Sequence, residues 1–102
     1  MKTSELSDAA LDWAVGKCIG LSHALHGRVP YTTDWAHSGP IIEREEIYLA
    51  KSVLGGWTGS IYINAHNHNC ILHQGPTPLI AAMRCYVASK LGDEVEIPES
   101  MR

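Results

Sequence analysis

The run from Thr77 to Gly92, Thr-Pro-Leu-Ile-Ala-Ala-Met-Arg-Cys-Tyr-Val-Ala-Ser-Lys-Leu-Gly, constrains the fold of this chain more than any other stretch. Thr77 is an N-cap residue and Pro78 falls at the first helical position, where its missing N–H is no loss. Lys90 sits in the last turn, and Gly92 can adopt the positive φ that ends a helix. At about 100° per residue, Leu79, Ile80, Met83, Val87 and Leu91 form an apolar stripe, and Ala81, Cys85, Ala88 and Ser89 form a second face of small residues. A helix apolar nearly all round needs cover on more than one side. The rest of the chain is therefore expected to pack around it, or a partner subunit to cover the small face in a homo-oligomer.

One hundred and two residues are enough for one domain, residues 1–102, which at this size buries about two thirds of its unfolded surface. No apolar run approaches the ~18 residues of a membrane span. Met-Lys-Thr-Ser-Glu-Leu-Ser-Asp at the start has no secretory apolar core, so the expected compartment is the cytoplasm. Cys18, Cys70 and Cys85 are odd in number and widely spaced, which argues against a disulfide framework, and Cys18 and Cys85 fall where packed, reduced thiols are usual. A net charge of −3 opposes binding of long nucleic acid, which needs many Lys and Arg contacts to phosphate, but leaves room for a small anion.

Ahead of the closing helix, Ser7 and Asp8 open a helix that runs to Ile19 and stops at Gly20, with Leu6 able to staple to Leu11. Leu11, Ala14, Val15, Cys18 and Ile19 share a face, whereas Trp13 projects about 200° from Leu11 and needs cover from a loop, a subunit or a ligand. Residues 21–39, rich in His, Gly, Ser, Thr and Pro, read as a long loop. A short helix with Pro40 near its start, or alternatively a strand from Ile41, leads into a strand at Ile47 to Ala50. Gly55 and Gly56 mark a turn, Trp57 to Asn64 alternates as a half-buried strand, and Cys70 to His73 is a short third strand. The expected fold is α+β: helix, long loop, two to three antiparallel strands, and a C-terminal helix packed on the sheet. Residues 93–102 are expected to be an acidic extended tail, with Val95 and Ile97 tacked to the surface.

Six histidines invite a metal, and His66, His68 and Cys70 point to one side of an extended chain. The spacing matches no strong zinc pattern, even with His73 or the His23 and His26 pair as a fourth ligand, so neither a metal nor another cofactor is expected. Cys70 beside His68 or His73 lacks an oxyanion hole or orienting residue, and Glu43, Glu45 and Glu46 form an ordinary solvated cluster. No enzymatic role is expected. A binding site has more support. Tyr31, Trp35 and Trp57 offer stacking surfaces, while Asp34, Ser38, Gly39 and Glu43 offer polar and backbone contacts. Thr77 opens a helix whose first N–H groups attract anions, and Arg84 is the basic residue placed to hold a phosphate.

At Tyr31-Thr-Thr-Asp-Trp-Ala-His-Ser-Gly-Pro-Ile-Ile-Glu, at Gly75-Pro-Thr-Pro-Leu-Ile-Ala-Ala-Met-Arg-Cys-Tyr-Val-Ala-Ser-Lys-Leu-Gly-Asp-Glu-Val, and at the Leu-Asp-Trp-Ala-Val of helix one, the chain resembles the NinX-like family of small proteins carried by phages and enterobacterial prophages. The resemblance implies an accessory phage gene expressed in the host cytoplasm and brings no reaction with it. In that context the expected function is to bind and sequester a small anionic ligand such as a nucleotide immune signal. The alternative is a protein-binding inhibitor or regulator of a host factor, with Trp13 and the loop aromatics as hot spots. A double-stranded-RNA-binding domain shares the order of elements but carries a lysine cluster where this chain has only Arg84 and Lys90.

Overall fold

In the structure, a computed structural model describing residues 1–21, 26–64 and 69–101, the helices are α1 (Asp8–Ile19), α2 (Trp35–Glu45) and α3 (Pro78–Leu91). The strands β1 (Tyr48–Lys51), β2 (Trp57–Asn64) and β3 (Asn69–Gly75) lie between α2 and α3 and form an antiparallel sheet in the order β1-β2-β3. Short 3-10 turns stand at Thr3–Glu5 and Glu99–Met101.

The closing helix takes its expected place at the centre. Thr77 caps it through Oγ1, which accepts the Ile80 N–H at 3.2 Å, and it packs on the sheet, chiefly on β2 and β3, while α1 and α2 cover its other sides. Leu79 to Met83 and Cys85 to Ala88 are all buried. The small-residue face expected to receive a partner subunit is consumed within the chain. A Cβ on Gly59 would lie 2.9 Å from the Ala81 carbonyl oxygen, so small residues on both sides let α3 approach the sheet backbone. The Cys85 thiol donates to the Ile71 carbonyl at 3.1 Å, and burial pushes its pKa up to about 12, as it pushes that of Cys18 up to about 11. Both are inert packing thiols, as expected.

The register sets the two faces of the sheet. Gly59 stands opposite Leu49 and His73, and Ile61 opposite Ile71, on the face turned to α3. Tyr48, Ser60 and Leu72 align across the outer face, with Tyr62 beside Cys70. No helix among the described residues covers that outer face, and none is long and apolar enough to cross a membrane.

Two segments differ from expectation. The second helix begins at Trp35, shortening the loop, because the Asp34 carboxylate accepts the Ala36 N–H at 2.9 Å as an N-cap. Pro40 lies inside this helix rather than near its start. It removes one backbone hydrogen bond on an exposed side, and Gly39, having no Cβ, relieves the clash that a residue preceding proline suffers in helical conformation. Ser38 and Ile41 face the core, and the approach to α2 is held where the Asp12 carboxylate accepts the Thr32 N–H at 2.8 Å.

The acidic tail is part of the core rather than a surface strap. Val95 and Ile97 are 5% and 2% exposed. The tail runs antiparallel to the chain's first residues: the Thr3 N–H donates to the Asp93 carbonyl at 2.8 Å, and the Val95 N–H to the Met1 carbonyl at 2.8 Å. The Thr3 hydroxyl donates to the Gly92 carbonyl at 2.6 Å, locking the end of α3 to the amino terminus.

Candidate functional site

A cleft of about 660 Å³ opens along β3 where the chain turns into α3. One wall is residues 72–76, the rim is Gly55 and Gly56 from the β1–β2 turn, and Ser4 and Arg84 close the other side. Glycine is required at the rim. Gly56 has a φ of +72°, and a Cβ there would lie 2.6 Å from the Gly75 carbonyl oxygen, while a Cβ on Gly75 would lie 2.7 Å from the Ala81 nitrogen. Absence of side chains at these positions brings the turn, the strand end and α3 together.

Arg84 supplies the cleft's permanent charge. Its Nε–H donates to the Leu6 carbonyl at 2.7 Å and one terminal N–H to the Gln74 carbonyl at 2.7 Å. Both partners are neutral main-chain oxygens, and among the described residues no carboxylate lies within ion-pair distance of it. Burial pushes this guanidinium below the usual arginine range, which leaves it charged near neutral pH but poorly solvated. His73, on the same wall, is pushed down from the ordinary histidine value by burial; the charge of Asp93 opposes that shift and Arg84 adds to it.

Of the nine residues expected at a binding site, Arg84 lines this cleft. Thr77 spends its hydroxyl oxygen on capping α3, and Trp57, half-buried at the start of β2, pairs with Gly75 of the cleft wall. The other six belong to α2 and its approach. Tyr31 is 6% exposed with its ring edge-on to His37, Asp34 caps the helix, and Ser38 is fully buried with its hydroxyl donating to the Asp34 carbonyl at 3.0 Å. Gly39 lies mid-helix, Glu43 is exposed, and Trp35 is 53% exposed at the helix start. The far end of α2 meets the carboxyl half of α3, where Arg44 donates to the Tyr86 hydroxyl and Glu45 pairs with Lys90 at 3.1 Å.

A smaller cavity of about 350 Å³ lies beside Trp13, between Lys17, His26 and the tail residues Glu96 to Pro98. Trp13 is 7% exposed, with the His26 ring edge-on at 5.3 Å and the Lys17 ammonium 5.5 Å from its centroid. The chain itself supplies the cover this side chain required. His23, His66 and His68 fall outside the described residues. Cys70 and His73 stand on opposite faces of β3, and among the described residues no group of three or more His, Cys, Asp or Glu is placed to hold a metal.

The cleft also draws on residues with weaker sequence signals. Gly55 and Gly56 are legible as a turn, but nothing local brings that turn to Gly75, and Ser4 carries no signal at all. A family model described as bacteriophage P22, NinX, matches residues 2–90 of the chain. No curated protein matches it.

Proposed function

We propose, from the premise that this chain belongs to the bacteriophage P22 NinX family, that it binds a small anionic ligand in the Arg84 cleft and acts by holding it. The observation that carries this reading is the state of Arg84: a half-buried guanidinium on a cleft wall, oriented by two main-chain carbonyls and lacking a carboxylate partner among the described residues. An uncompensated charge in such a place is costly without a counter-ion, and an entering oxyanion supplies one. Sequestration rather than turnover fits a wall that offers Arg84, His73, the polar side chains of Ser4 and Gln74, and backbone. A nucleotide signal of host defence, captured in the host cytoplasm, suits both this chemistry and a phage family. Trp57, paired with Gly75 of the cleft wall, offers a flat ring one strand away.

A second reading, a protein-binding regulator of a host factor, is favoured by the uncovered outer face of the sheet. Its outward positions Tyr48, Ala50, Thr58, Ser60, Tyr62, Cys70, Leu72 and Gln74 carry no charge, and Tyr48, Tyr62 and Leu72 are each more than half exposed. That surface, rather than the small face of α3, is also where a second copy of the chain would pack.

Thermal unfolding in the presence of cyclic and linear nucleotides tests the first reading, since a ligand of the folded state raises the midpoint according to its concentration over Kd. A rise that disappears when Ser4, exposed on the Arg84 side of the cleft, is replaced by Glu supports it. No rise with any anion, together with recovery of one host protein lost on Tyr62→Asp, favours the second.

A further inference from the structure

We infer that the cleft is built for a singly charged oxyanion, a phosphodiester or a carboxylate, and discriminates against doubly charged groups such as a terminal phosphate. This rests on the reading of the cleft as an anion site and adds the charge class of its ligand. Among the described residues, Arg84 is the single permanently charged one on the wall. Two of its five N–H donors are engaged by Leu6 and Gln74, and the remaining three can grip the paired oxygens of one oxyanion. Burial, with that guanidinium assisting, pushes His73 below the ordinary histidine value, which disfavours a second positive charge on the wall. Asp93 acts on the same histidine, so a negative charge already borders this side of the cleft. One charge on the ligand matches one on the wall. A second would enter a partly desolvated space unpaired.

Cyclic AMP, AMP and ADP share a base and sugar and differ in charge, and N-acetylglycine with N-acetylaspartate repeats the comparison for carboxylates. Calorimetric titration at pH 7.5 is expected to rank the singly charged member of one series first, with AMP or N-acetylaspartate weaker by about tenfold, the effect of one unmatched charge worth ~1.4 kcal/mol. Ser4→Lys adds a second cation at an exposed position on the Arg84 side of the cleft without touching the core and is expected to narrow or reverse the ranking. Equal or tighter binding of the doubly charged ligands to the natural chain, or an unchanged ranking in Ser4→Lys, overturns the inference while leaving an anion site standing. No binding in either series overturns the site itself.

Discussion

Arg84 donates its Nε–H to the main-chain carbonyl of Leu6 at 2.7 Å, tying the middle of the closing helix to the chain's first turn across 78 positions of sequence. The side chain proposed to meet the ligand therefore also holds the fold. Sequence alone suggests that Arg84→Ala would remove binding and leave the structure intact; the geometry says that both suffer. Arg84→Met is expected to lower the unfolding free energy by roughly 1–3 kcal/mol, the range for hydrogen bonds to a charged group. Arg84→Lys, which keeps the charge but not the fork, should recover part of the binding and little of the stability. Urea unfolding alongside titration separates the two effects, and full stability in Arg84→Met would show that the Leu6 contact contributes nothing.

Gly59 sets how closely α3 lies on the sheet. All three atoms nearest a Cβ there are backbone atoms of Ala81 and Ala82, at 2.9 to 3.3 Å, so no side-chain rotation can make room. Gly59→Ala is expected to cost roughly 1–3 kcal/mol as overpacking, whereas Ser60→Ala on the outer face should stay within about 0.5 kcal/mol. Equal effects in denaturant unfolding would contradict the close approach.

The tail beyond Gly92 is predicted to be structural. Ile97→Ala should destabilise by roughly 2–5 kcal/mol and Val95→Ala by a smaller amount, as expected when buried aliphatic side chains are cut back. Ending the chain after Gly92 should expose the Met1 to Thr3 segment that the tail pairs with. Hydrogen exchange at Thr3 and Val95 checks this: protection comparable to α3 is expected, and fraying-level exchange would place the tail outside the cooperative unit.

His73 gives the fold an acid sensitivity of definite sign. Burial holds its pKa below the ordinary 6.5, with Asp93 opposing and Arg84 assisting, so the folded state favours the neutral ring. The stability this supplies is complete above pH 6.5 and is lost as pH falls below that value through the folded pKa. His73→Gln should flatten the decline that sets in below about pH 6.5 in the natural chain. Parallel pH profiles for the two would mean that the imidazole titrates freely.

The parts of this fold legible in sequence are those whose signals are local. Thr77, Pro78 and Gly92 mark both ends of α3, Gly20 ends α1, and the alternation from Trp57 to Asn64 marks β2 at its observed limits. The start of α2 was obscured because Gly39-Pro40 resembles a break. Here Gly39 makes Pro40 tolerable, and the decisive signal is the Asp34 cap one residue before the helix. Val95 and Ile97 look like surface residues in an acidic stretch, because their burial depends on pairing with the opposite end of the chain. The site follows the same division. Arg84 stands out as an isolated cation, but that Gly55, Gly56 and Ser4 meet it depends on strand register and the path of the amino terminus, which no short window encodes. Tyr31 and Ser38 have the chemistry of ligand contacts and are instead buried around α2.

Amide chemical-shift mapping during titration with cyclic AMP tests the central claim most directly. The account predicts saturable shifts concentrated at Gly55, Gly56, His73 and Gly75, with the Arg84 Nε resonance moving in step. Absent shifts, or shifts centred on Trp35 and Glu43 while Arg84 stays still, would contradict it.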